Sequence, residues 1–315
     1  MSIVQLKQVA KRFDNRYVVE NLNLNIEQGE VFGLLGPNGA GKSTTINMLT
    51  GLLSLDGGDI VIDNYSIRKD PLKVKGCIGL VPQDLAIFEN VSARDNVNFF
   101  AKLYGLRGKQ LQQQVDKALE RVGLTERQHD KPTAFSGGMK RRLNIACAIA
   151  HQPKLIIMDE PTVGIDPHSR NHILESVKAL NEEGSTIIYT SHYMEEVSAV
   201  ASRIGIMNEG RLIACGTQEH LRQQVGYDEK LSIETTCVVE VDAPQLIDEL
   251  KRHPQIKQVI AHDNWLTIEL PSGNGSMQDI LFILSQHQVH IKTLQREEAN
   301  LETLFLTLTG RQLRD

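Results

Sequence analysis

The short apolar run Val31-Phe32-Gly33-Leu34-Leu35 leads directly into Gly36-Pro37-Asn38-Gly39-Ala40-Gly41-Lys42-Ser43-Thr44, then into Thr45-Ile46-Asn47-Met48-Leu49-Thr50, closed by Gly51. No other stretch constrains the chain as much: it has the spacing of a phosphate-binding loop in the strand-loop-helix setting such a loop requires. Glycines let successive backbone N–H groups turn inward around phosphate oxygens, a concavity that side chains would obstruct. The helix start that follows adds a favourable field for an anion. Lys42 is then expected to reach the β- and γ-phosphates and the Ser43 hydroxyl to ligate Mg²⁺.

A loop of that kind needs a sheet behind it. Cys77-Ile78-Gly79-Leu80-Val81, Leu155-Ile156-Ile157-Met158 and Thr186-Ile187-Ile188-Tyr189-Thr190 are short and nearly all apolar, as strands covered on both faces should be. With residues 31–35 they predict a central, mainly parallel sheet. Ile3 to Val9, Val18 to Ile26 and Asp59 to Asp63 alternate more and predict an antiparallel side sheet. Ser92 to about Ala150 reads as helical. Ser92 caps a helix with Val97, Phe100, Ala101 and Tyr104 on one face, ended by Gly105. A second helix is expected from Ser136 to before Pro153, with Ile145, Ala146 and Ile149 inward and Lys140, Arg141 and Arg142 outward.

Apolar periodicity lapses over residues 222–230, a domain boundary. Beyond it the order is strand (231–241), helix (244–252), strand (256–261), strand (264–270), helix (276–287), strand (289–295) and helix (300–309), close to a split βαβ arrangement. Asp263-Asn264 suits a tight turn. The expected domains are therefore 1–221, with a helical subdomain over about 90–152, and a small α+β domain over 231–315.

Composition excludes some functions. The net charge of -5 and the sequence pI near 6.1 argue against nucleic-acid binding dominated by phosphate attraction. No run approaches the ~20 apolar residues that cross a bilayer, and Met1 to Lys7 carries no secretory signal. Cys77, Cys147, Cys215 and Cys237 form no CxxC pair and read as buried, reduced thiols.

The strand through Leu155-Ile156-Ile157-Met158 ends in Asp159-Glu160. A parallel strand delivers Asp159 to a metal shell beside the phosphate loop, and Glu160, one residue on, is placed to orient or deprotonate an attacking water. Taken alone, an Asp-Glu pair after a core strand is a charged turn; the loop at Gly36–Thr44 makes the catalytic reading stronger. Gln83 follows the strand ending at Val81 and suits metal and water; His192 follows the strand ending at Thr190 and suits a hydrogen bond to the γ-phosphate.

Phe135-Ser136-Gly137-Gly138-Met139 resembles the LSGGQ signature of ABC-transporter nucleotide-binding domains. Together with the phosphate loop, Gln83, Asp159-Glu160, Gly164-Ile165-Asp166 and His192 in family order, the resemblance covers residues 1 to about 221. It implies the ABC ATPase form of the P-loop NTPase fold and a homodimer joined head to tail. Each ATP would lie between the phosphate loop of one copy and Ser136, Gly137 and Gly138 of the other. Asp166 matches the loop that communicates between the two sites, and Phe13 the aromatic on which adenine stacks, with Tyr17 as fallback and a core role for Phe13 as the alternative. The resemblance further implies integral membrane permease subunits as partners, no nucleic acid, and a peripheral position on the cytoplasmic face of the membrane.

Phe135 replaces the usual leucine, Met139 the glutamine, and Gly164-Ile165-Asp166-Pro167 the commoner Ser-Ala-Leu-Asp. These departures are similar to exporter ATPases of the daunorubicin and linearmycin type, as is the ending Asn300 to Arg311, where Leu301, Leu304, Phe305 and Leu308 form an apolar stripe. The expectation is an ATPase driving efflux of a hydrophobic small molecule, antibiotic or lipid-like compound. The alternatives are a soluble ABC ATPase acting on ribosomes or DNA, and a P-loop switch that signals without transport.

Overall fold

The computed structural model describes residues 1–225, 229–239, 243–271, 277–297 and 305. They divide into two compact units, Met1–Gln218 and a second within Glu219–Arg311.

In the first unit, β1 (Ser2–Phe13) pairs antiparallel with β2 (Arg16–Glu27), and β3 (Val31–Leu35) passes into a second sheet ahead of α1 (Lys42–Leu49). β4 (Gly57–Ile62) and β5 (Tyr65–Ser66) return to the first sheet, whose order is β2-β1-β4-β5. α2 (Pro71–Gly76) leads to β6 (Ile78–Val81), and the helices α3 (Ala93–Leu103), α4 (Gly108–Arg121) and α5 (Gly137–Ile149) follow. Then β7 (Leu155–Asp159), α6 (Pro167–Glu182), β8 (Thr186–Thr190), α7 (Met194–Val200), β9 (Arg203–Asn208) and β10 (Arg211–Gly216) complete a six-stranded sheet of order β10-β9-β3-β8-β7-β6. All its neighbours run parallel except β9 and β10. Every residue of β3, β7 and β8 is buried, which explains their unbroken apolar runs. Between the sheets Leu6, Leu22, Ile26, Ile46 and Ile60 are almost fully enclosed, each worth about 1.5–3 kcal/mol of burial.

The central sheet holds two strands beyond those expected, β9 and β10. Both lie toward one edge, where β10 alternates in exposure. The basic cluster is not a solvated face: Arg141 is buried at 4% exposure. Its guanidinium donates to the carbonyls of Pro82 at 2.8 Å and Gln83 at 2.6 Å, while Arg142 donates to Val122 O at 2.9 Å. Helical periodicity marks a charge as outward only when no orphan carbonyl waits for it, and the loop after β6 supplies two. Only Cys147 is fully buried; Cys77, Cys215 and Cys237 are half-buried.

α8 (Gln218–Val225) starts at the last residue of the first unit and runs into the second unit. There β11 (Glu229–Thr235), α9 (Pro244–Arg252), β12 (Gln258–His262), β13 (Trp265–Leu270), α10 (Met277–Gln286) and β14 (Ile291–Glu297) build an antiparallel sheet of order β12-β13-β11-β14, a split βαβ layout. β11 stops at Thr235, short of the expected residue 241, because the Thr235 hydroxyl turns the chain by bonding Cys237 O at 2.8 Å. Asp263, at φ +54°, makes the two-residue turn between His262 and Trp265. Phe305 is buried; Leu301, Leu304 and Leu308 of the expected stripe lie outside the described residues.

The His151 ring stacks on Tyr104 at 3.5 Å between centroids, with Nε2 3.1 Å from Ile78 O. Burial pushes its pKa down to about 4. The folded state therefore binds fewer protons than the unfolded state, so His151 contributes stability above pH 6.5 that is lost as pH falls toward 4. His151→Gln should flatten that slope, removing roughly 2–3 kcal/mol of the acid-induced loss; urea unfolding at pH 7 and pH 4 measures it, and parallel slopes in both proteins would refute it.

Candidate functional site

Strand register assembles the site. Val81 pairs with Met158, Asp159 with Thr190, and Leu34 with Thr190, so β6, β7, β8 and β3 end side by side at their carboxyl edge. Whatever follows those ends lies along one edge of the sheet, the position where parallel sheets present binding groups. Gln83, the Asp159-Glu160 pair, His192 and the Gly36–Thr44 loop follow them.

The loop closes around its own lysine. Gly41 stands at φ +99°, where a Cβ would meet Val18 O at 2.7 Å, so only glycine takes this corner without strain. Lys42 is buried, and its ammonium donates to Gly36 O at 2.7 Å and Pro37 O at 3.2 Å, with Glu160 Oε1 3.8 Å away. Burial lowers its pKa, opposed by the charges of Glu160 and Asp159. Desolvation raises the pKa of Asp159, against hydrogen bonds from the Thr190 and Ser43 hydroxyls. Ser43 and Asp159 are thus joined as two hard oxygen donors, a fit for a magnesium ion.

Thr190 holds the two carboxylate residues apart in role. Its hydroxyl donates to Asp159 Oδ1 at 2.7 Å and accepts from the Glu160 backbone N–H at 2.8 Å. Glu160 sits at φ +46°, a left-handed conformation that costs a non-glycine residue about 1–2 kcal/mol. Such an outlier persists where its surroundings hold it. The kink turns the Glu160 side chain to His192, Oε2 to Nδ1 at 3.2 Å, and toward Lys42.

The remaining candidates stand outside that bonded group. Gln83 is exposed, its backbone carbonyl fixed by Arg141. Ser136, exposed, caps α5 by accepting from Met139 N–H at 3.3 Å, and Asp166 caps α6 by accepting from Ser169 N–H at 2.9 Å. That bond to the Ser169 backbone holds the Asp166 carboxyl below its ordinary pKa. Phe13 and Tyr17 are about half exposed, each with a cation over its ring, Lys11 at 5.6 Å and Arg12 at 4.9 Å. Among the described residues, none of Phe13, Gln83, Ser136, Gly137, Gly138 or Asp166 bonds to the Lys42-Asp159-Glu160-His192 group.

Gly138 has a reason to be glycine within its own chain. A Cβ there would lie 2.1 Å from Ser169 Oγ and 2.3 Å from Ser169 Cβ, so α5 and α6 touch through its absence. Gly138→Ala should lose about 1–3 kcal/mol by overpacking, and Ser169→Gly in the same chain should recover part of it. Thermal unfolding of the four proteins in the cycle checks this; strictly additive effects would show that the contact is immaterial.

Three supporting residues had no signal in the sequence beyond being polar near a motif. Asn96, fully buried, pins the loop after Gln83 by accepting from Phe88 N–H at 2.7 Å and donating to Phe88 O at 2.9 Å. Arg141 ties the same loop to the helix that Ser136 opens. Glu196, 2% exposed, accepts from the hydroxyls of Thr162 at 2.6 Å, Tyr189 at 3.0 Å and Ser191 at 2.9 Å, and pairs with Arg170 at 3.2 Å. It joins the segment after Glu160, the residue before His192, and α6 behind Asp166.

Comparison with known proteins agrees with this geometry. The ABC transporter family profile matches residues 19–163. The linearmycin resistance ATP-binding protein of Bacillus subtilis (strain 168) is 44% identical, covering 99% of this chain and 100% of that one. The daunorubicin resistance ATP-binding protein of Streptomyces coeruleorubidus is 31% identical over 98% and 95%, and the Nod factor export ATP-binding protein I of Cupriavidus metallidurans is 33% identical over 100% and 99%. Among solved structures, an ATP-binding subunit of an ABC transporter superposes with a TM-score of 0.66 at 28% identity, covering 71% of this chain and 94% of that one. A dimeric ATP-binding cassette in a post-hydrolysis state, bound to ADP and Pi, gives 0.62 at 28% identity over 68% and 98%. Relatives that align over nearly the whole chain leave one conclusion: the chain belongs to the ABC transporter family, as one of its ATP-binding, ATP-hydrolysing proteins.

Proposed function

We propose that this chain binds Mg·ATP between its own phosphate loop, Gly36 to Thr44, and the Ser136-Gly137-Gly138 helix start of a second copy. Hydrolysis then drives efflux of a hydrophobic small molecule, antibiotic or lipid-like compound through a separate integral membrane permease, with the chain on the cytoplasmic face. Residues 1–221 act as the ATPase, the helices of about 90–152 as its partner-facing part, and 231–315 as an accessory domain.

The observation that carries the hydrolytic part is Glu160, turned by its left-handed backbone toward Lys42 and His192. In this reading Glu160 accepts the proton of the attacking water, His192 orients Glu160 and meets the γ-phosphate, and Lys42 leaves the Gly36 and Pro37 carbonyls for the phosphates. Asp159, Ser43 and Gln83 would hold the magnesium ion, which supplies charge neutralisation to the phosphates. Phe13 takes the adenine, and Asp166 links the two sites of the dimer.

Support for a membrane partner comes from the surface. Among the described residues no helix is long and apolar enough to cross a membrane, yet Phe88 and Phe99 are nearly half exposed, with ring centroids 5.1 Å apart and Phe100 beside both. Leu103 and Tyr104 on the same helical segment are also exposed. A cluster of partly exposed aromatic rings such as that of Phe88, Phe99 and Phe100 suits an interaction surface. Support for efflux comes from the names of the relatives, which speak of linearmycin resistance, daunorubicin resistance and Nod factor export.

The test is affinity purification from membranes in mild detergent. A polytopic membrane protein should co-purify with the wild-type chain and be lost with Phe99→Glu, while basal ATP turnover persists. Recovery of ribosomes or DNA in place of a membrane protein would overturn the transport reading.

A further inference from the structure

His168 and His172 lie one helical turn apart on α6, on the same exposed face. Their Nε2 atoms stand 3.3 Å apart, with the two rings nearly perpendicular at 80°. Two nitrogens each about 2.05 Å from a tetrahedral zinc ion are about 3.3 Å apart, so the spacing is that of a bis-imidazole chelate. A third group prepares one of the ligands. The Glu175 carboxylate lies 3.4 Å from Nδ1 of His172. A carboxylate at that nitrogen favours the tautomer with its proton on Nδ1, which leaves the Nε2 lone pair facing His168; carboxylates support metal-binding histidines in this way.

We propose that His168 and His172, oriented by Glu175, form a binding site for a late first-row divalent cation, of the Ni²⁺, Cu²⁺ or Zn²⁺ class. Imidazole selects such ions over magnesium, which takes oxygen ligands, so this site is chemically separate from the nucleotide site. Among the described residues no three His, Cys, Asp or Glu side chains converge on one point, so two imidazoles and water complete the coordination. His168 directly follows Asp166 and Pro167. An ion shared between His168 and His172 therefore clips together the first two turns of α6 just behind the Asp166 cap, and stabilises that helix start by binding the folded form alone.

The test uses the full chain without a polyhistidine tag, freed of metal by chelator, titrated calorimetrically with NiCl₂. Other histidines and the free thiols supply a background, so the measurement is a difference against His168→Ala and His172→Ala. Both side chains are exposed, and unchanged circular dichroism and ATP turnover without nickel will show that the variants fold. The wild type should bind one more equivalent of Ni²⁺ than either variant, and nickel should raise its melting temperature but not theirs. Glu175→Gln should keep the extra equivalent with affinity weakened about tenfold. Superimposable isotherms for wild type and His172→Ala, or a wild type that binds no nickel, would show that the imidazoles share only a hydrogen bond and overturn the proposal.

Discussion

Glu160→Gln should still bind ATP, release almost no phosphate, and accumulate as an ATP-bound dimer. On the assignment of Glu160 as general base, the amide keeps the size and planar shape of the carboxylate but has no basic oxygen, so turnover should fall about 10²–10⁴-fold. Affinity is expected to survive because, in the proposed function, the phosphate contacts fall to Lys42 and the glycine-loop backbone. The lost charge stands 3.8 Å from Lys42, which adds an electrostatic effect: without it, one of the two carboxylates that oppose the desolvation of the ammonium is gone. Nucleotide binding, phosphate release and size-exclusion chromatography with ATP together decide the matter. Turnover within about threefold of wild type would remove Glu160 from the base role, whatever the affinity.

Glu196→Ala should strongly destabilise the first unit. The carboxylate is enclosed, and its removal leaves the hydroxyls of Thr162, Tyr189 and Ser191 without their acceptor and the partly buried Arg170 without its counter-charge. Breaking a buried pair from one side costs on the order of 3 kcal/mol, equivalent to roughly 6–12 °C in melting temperature for a domain of this size. Glu196→Gln retains an acceptor oxygen and should lose less. Turnover should drop with the alanine variant as well, because Ser191 precedes His192 and Thr162 lies two residues beyond Glu160. A variant that melts alongside the wild type would show that the network is incidental.

These two residues differ in how far the sequence reveals them. Glu160 was legible because a fully apolar strand ends on Asp159-Glu160 in a chain that also carries the Gly36–Thr44 loop. Each piece is local, and strand ends in a parallel sheet are where such groups collect. Glu196 was not legible. Its partners are 5 to 34 positions away along the chain, and only the register of β7 against β8 and the packing of α6 near α7 make them neighbours. Arg141 follows the same logic in reverse. On its helix it reads as one of three outward charges, yet the carbonyls of Pro82 and Gln83, held by a loop some sixty residues earlier, draw it into the interior.

The left-handed backbone at Glu160 is the clearest case of a property that no local rule supplies. Glutamate has no preference for φ near +46°; Thr190, on the adjacent strand, holds the Glu160 N–H and the Asp159 carboxylate with one hydroxyl and so imposes the turn.

By itself, the sequence determined the phosphate loop, the run of buried strands behind it, the capped helices at Ser92 and Ser136, and the split βαβ order of the second unit, because each depends on residues a few positions apart. The tertiary structure alone decided which charges are buried, how the two carboxylates diverge, and why Gly138 has no room for a side chain. Those outcomes depend on desolvation and on close approach between segments distant along the chain, and neither is encoded in a short window of residues.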